Sequence, residues 1–138
     1  MTAYDDELIG ELQRLTAAVQ RAIWAYPIIA ARIESRQGSA RDALARHRKV
    51  LAQLKKELTG LEALVPPAEA SYDIGAIDTA DQADLAAQSI ETSAMDSALR
   101  VVGASNGRVR NWAIDAMGDF ATQVVYWHGK PESMPGLQ

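Results

Sequence analysis

Apolar residues along this chain recur at spacings of three and four, and no stretch alternates with period two over a useful length. The first stripe runs Leu8, Ile9, Leu12, Leu15, Val19, Ile23, Tyr26, Ala30 and Ile33, and predicts a helix over about residues 5–35. Pro27 falls inside it. Proline removes a donor and crowds the preceding turn, so a kink or bulge is expected just before it. Gln37–Gly38 punctuates, and Ser39 with Asp42 three residues on comes close to a capping box. A second stripe follows: Ala43, Leu44, His47, Val50, Leu51, Leu54, Leu58 and Leu61. It predicts a helix over about residues 39–64, stopped by Pro66–Pro67.

The stretch VPPAEASYDIGAID is the longest irregular connection. Thr79 and Gln82 form a second capping-box signature and open a third helix, over about residues 79–103. GASNG makes a short turn. The fourth helix spans about residues 107–127, with Val109, Trp112, Ala113, Ala116, Met117, Phe120, Val124 and Trp127 inward. An extended tail over residues 129–138 follows, in which Met134, Pro135 and Leu137 are expected to dock on the helices. None of these helices buries its stripe alone, so the expected fold is an all-α four-helix bundle with the long crossover between helices 2 and 3.

Composition narrows the function. With 138 residues, 48% of them hydrophobic, the chain suits one globular domain. It has no cysteine, which excludes disulfides, thiolate metal sites and thiol nucleophiles. A net charge of -4 argues against nucleic acid as partner. The basic run Arg41, Arg46, Arg48, Lys49, Lys55 and Lys56 reads as a solvated helix face. The start MTAYDDELIGEL has acids where a signal peptide has bases, and no run approaches the ~18 apolar residues that span a bilayer. A soluble cytoplasmic protein with no membrane partner is expected.

Chemistry in a helical bundle is built from polar side chains that face the core. At ~100° per residue, His47 lies at the centre of the second stripe, and Glu91 lies among Ala87, Met95, Ala98 and Val102 on the third helix. Asp115 and Asp119 on the fourth should face water. A buried glutamate or imidazole without a partner is costly. His47 and Glu91 are therefore expected either to pair in a buried polar cluster with Tyr26 or Thr16, or to bind metal. Asp78, Asp81 and Asp84 read as acids complementing the dipole at a helix start. His128 is a cation at a helix end. There is no Gly-x-Ser-x-Gly elbow and no phosphate loop. Trp24 and Ile28, and more weakly Ile29, lie off the first stripe. They could pack on the crossover or on a partner, and homodimerisation through Trp24 and Ile28 is one expectation.

The stretch AVQRAIWAYP, the pair His47–Arg48 and the end VRNWAIDAMGDFATQVVYWHGKPESMPGL together resemble an uncharacterised actinobacterial family of ferritin-like domains. The resemblance implies a ferritin-like bundle and carries no established activity. Wider relatives, rubrerythrin-like and ferritin-like, often read Glu-His-x-x-x-aromatic-x-Tyr in the first helix. Aligned on Trp24 and Tyr26, Val19 stands at the glutamate and Gln20 at the histidine. In the second helix Leu44-x-x-His47 stands where such bundles carry Glu-x-x-His, and the fourth helix has no such motif. The expectation is thus a non-catalytic bundle with a degenerate metal site and no cofactor, acting as a structural or protein-interaction module. That module would act as a dimer or as a partner of another protein. Two alternatives remain. An enzyme of the oxidoreductase type or a metal-handling protein could hold iron or manganese through His47 and Glu91 with ligands from a second chain or from Asp119 after a helix rotation. A small-molecule cavity could lie around Tyr26, His47 and Glu91.

Overall fold

The computed structural model describes residues 2–128, and the tail expected to dock lies outside them. Four helices form the chain: α1 Ala3–Arg32, α2 Gln37–Gly60, α3 Ala80–Ala104 and α4 Gly107–His128. A 3-10 turn, Glu34–Arg36, joins the first two. No strand occurs among the described residues. Short connections make antiparallel hairpins of α1 with α2 and of α3 with α4. The hairpins meet chiefly where α1 lies against α3, while the backbones of α2 and α4 stay farther apart and meet through side chains. No described helix is long and apolar enough to cross a membrane.

The helix ends depart from the sequence reading in four places. α1 begins earlier than expected because Thr2 caps it: its hydroxyl accepts from the Asp5 N–H at 3.1 Å and the Asp5 carboxylate accepts from the Thr2 N–H. α1 ends at Arg32, since the 3-10 turn takes over the last turn assigned to it. α2 starts at Gln37, continuing directly out of that turn. Ser39 is therefore inside the helix rather than its cap, and its hydroxyl meets the Tyr126 hydroxyl at 2.5 Å. α2 also stops before the prolines. Glu62 takes φ 55, the Ala63 N–H reaches the Leu58 carbonyl at 2.9 Å and the Glu62 N–H reaches that of Thr59 at 3.0 Å. This is a Schellman ending with a glutamate in the usual glycine position.

Two signals act as the sequence suggests. Thr79 and Gln82 make a reciprocal capping box at 3.1 Å in each direction. At Pro27, by contrast, where a kink or bulge is expected, α1 stays α-helical on both sides, with the proline exposed. Gly107, at φ 56, lets the chain reverse between α3 and α4, a conformation costly for a side chain with a Cβ.

The core has two apolar clusters. One gathers Tyr26, Ile29, Ala43, Ala87, Ile90 and Trp127; the other gathers Leu12, Leu15, Val19, Leu54, Leu58 and Phe120. Each leucine wholly buried there contributes about 1.5–3 kcal/mol. Ile29 is fully buried, against its placement off the stripe. Ile23, Ala30, Leu44, Val50 and Leu51 are half-buried at the rims.

Candidate functional site

A polar layer joins the two clusters. The Tyr26 hydroxyl donates to Glu91 Oε2, and His47 Nε2 meets the same oxygen at 2.9 Å. Three helices supply the three residues, and all three side chains are essentially inaccessible to solvent. The His47 ring stacks on Phe120 at 5.4 Å and lies 5.7 Å from the Tyr26 ring, which in turn stacks on Trp127 at 5.9 Å. These rings hold the imidazole edge toward the carboxylate. A carboxylate oxygen that accepts from Tyr26 places a hydrogen on His47 Nε2. Glu91 Oε1 and His47 Nδ1 are both buried and make no hydrogen bond among the described residues.

Burial first, then the charge and hydrogen bond of Glu91, push the Tyr26 hydroxyl well above the usual tyrosine range. The charge of Arg46 and a hydrogen bond with Trp127 act weakly the other way. Tyr26 is thus held as a neutral donor.

Thr16 does not join the cluster. It is buried, but its hydroxyl donates to the Leu12 carbonyl at 2.8 Å, one turn back in its own helix. Trp24 is half-buried and its ring lies 5.9 Å from that of Tyr72, so it packs on the connection between α2 and α3. Ile28 is half-buried nearby on the same helix. Asp115 and Asp119 are exposed.

Two residues have partners that the sequence reading did not give them. Gln20 is buried and its amide donates to the Pro66 carbonyl at 2.8 Å, tying the connection to α1. Asp84 is not a first-turn acid. It is buried and grips Arg36 with both oxygens, at 2.7 and 2.9 Å. Its position seven residues before Glu91 puts both carboxylates on one face of α3, a spacing that could have revealed it.

Between α2 and α4 a cavity of about 280 Å³ reaches this layer. Arg46, Lys49 and Asp119 line it, with His47, Glu91 and Phe120. The residues do not suit a di-iron or di-manganese centre. Glu91 Oε2 and His47 Nε2 are engaged with each other, and among the described residues no three His, Cys, Asp or Glu side chains converge. Such a centre takes about six inward ligands from four helices.

These observations define an all-α protein of two helical hairpins around a buried tyrosine–glutamate–histidine layer. The chain belongs to a family known as a domain of unknown function, DUF4439, whose sequence profile matches residues 12–138. A solved structure of the same fold is the crystal structure of a conserved hypothetical protein, rv2844, from Mycobacterium tuberculosis. It is 21% identical, with a TM-score of 0.85 over 91% of each chain. No curated protein matches the sequence.

Proposed function

We propose that this chain is a ferritin-like bundle, with the 61–79 connection as its crossover, in which a hydrogen-bonded triad has replaced the metal centre. Its role is binding or structural rather than catalytic. The observation that carries this reading is the double engagement of Glu91 Oε2 by Tyr26 and His47. Val19, aligned with the first-helix glutamate of metal-binding relatives, supports it. The side chain is wholly buried in the same apolar cluster as Leu15 and Leu54, where a carboxylate would meet no counter-charge.

An interaction role draws support from the outer helices. Leu85 and Leu99 are exposed on one side of α3, and Ile114 and Val125, three turns apart, on one side of α4. Trp24, by contrast, is engaged by Tyr72. In this reading a protein partner or second copy meets α3 and α4.

Elemental analysis of purified chain tests the central point. Iron and manganese well below one atom per chain are expected. One or more tightly held atoms per chain would overturn the reading and restore the alternative of a metal-handling protein using His47 and Glu91.

A further inference from the structure

The seam between α2 and α4 differs from the other helix contacts. Among the described residues hydrogen bonds and ion pairs cross it from Ser39 to Tyr126 at one end, from Arg46 to Gln123 at 2.7 Å in the middle, and from Arg108 to Glu57 at 2.6 and 3.0 Å at the other end, and the His47 ring stacks on Phe120 between them. The cavity of about 280 Å³ lies over that stack, between Arg46, Lys49 and Val50 of α2 and Ala116, Asp119 and Gln123 of α4. At ~30 Å³ per water this is room for a small organic molecule rather than a single solvent molecule.

The lining is ordered by depth. At the inner end are the buried Glu91 and His47, whose Oε1 and Nδ1 have no partner among the described residues. Glu91 Oε1 is a carboxylate oxygen with acceptor capacity left over, so it calls for a donor. At the outer end are half-buried Arg46, whose guanidinium donates to Gln123, exposed Lys49 and exposed Asp119. Val50, Ala116 and Phe120 make an apolar wall. The formal charges of Arg46 and Lys49 balance those of Glu91 and Asp119. A plain anion would face Glu91 on entry and a plain cation would face Arg46. A net-neutral molecule with its positive end inward meets neither repulsion.

We propose that this cleft binds a small zwitterion of the amino-acid class. Its ammonium donates to Glu91 Oε1, its carboxylate meets Arg46 and Lys49, and an apolar side chain lies on Phe120 and Val50. The proposal rests on the reading that the centre holds a triad rather than metal.

Calorimetric titration of the whole chain with phenylalanine, phenylpropionate and phenethylamine tests it, with metal content measured on the same preparation. Saturable binding of phenylalanine is expected, with both analogues at least about tenfold weaker. Glu91→Gln should weaken phenylalanine at least about tenfold. Arg46→Ala, at a half-exposed position that leaves the core intact, should do likewise. Equal binding of phenylpropionate would overturn the zwitterion assignment. No binding of phenylalanine at millimolar concentration, or full binding by Arg46→Ala, would overturn the site. Metal-free protein that fails to bind leaves the triad standing and sinks only the ligand. Metal-loaded protein sinks both.

Discussion

At the scale of single residues, Tyr26 is the keystone of the triad. Tyr26→Phe keeps the ring stacked on Trp127 but removes a donor from Glu91, and should cost about 1–3 kcal/mol in denaturant unfolding. Its pH dependence is specific. The folded hydroxyl is held above the unfolded value, so the stability it contributes is present below about pH 10 and is lost as pH rises through the folded value. The gap between wild type and Tyr26→Phe should therefore narrow between about pH 8 and about pH 11; an unchanged gap would contradict the account. His47 and Glu91 were legible as inward polar residues because helical period places them on apolar arcs. Thr16 misled because a helical hydroxyl can satisfy itself on the carbonyl four residues back, so its burial implies no distant partner.

Elements were legible where a signal is local. The capping box of Thr79 and Gln82 and the turn at Gly107 are written in a few adjacent residues. The end of α2 was not, because the left-handed position falls on Glu62 and no glycine announces it. The tie between the 3-10 turn and α3 was also hidden. Arg36 and Asp84 lie 48 residues apart, and an acid near a helix start has an ordinary explanation. Asp84→Ala leaves the Arg36 guanidinium buried without this carboxylate and should cost about 3–5 kcal/mol by equilibrium unfolding. Arg36→Met combined with Asp84→Leu should recover more than half of that loss, since an apolar pair of similar volume avoids the buried charge. A double variant as unstable as Asp84→Ala alone would contradict this.

For the whole molecule, the hydrophobic pattern specified four helices but not the distances between them. The opening between α2 and α4 depends on how far two hairpins close around Tyr26, His47, Phe120 and Trp127, which no spacing along the chain encodes. The same closure decides whether the inward carboxylate meets a metal or a tyrosine. Here Glu91 is met by Tyr26 from α1 and His47 from α2, and the proposal that a triad stands in place of a metal centre rests on that contact. Unfolding of metal-stripped protein by denaturant, with and without saturating manganese(II) and, under anaerobic conditions, iron(II), tests it most directly. An unchanged midpoint is predicted, whereas stabilisation of about 2 kcal/mol or more by either ion would show that the folded interior binds metal and would contradict the account.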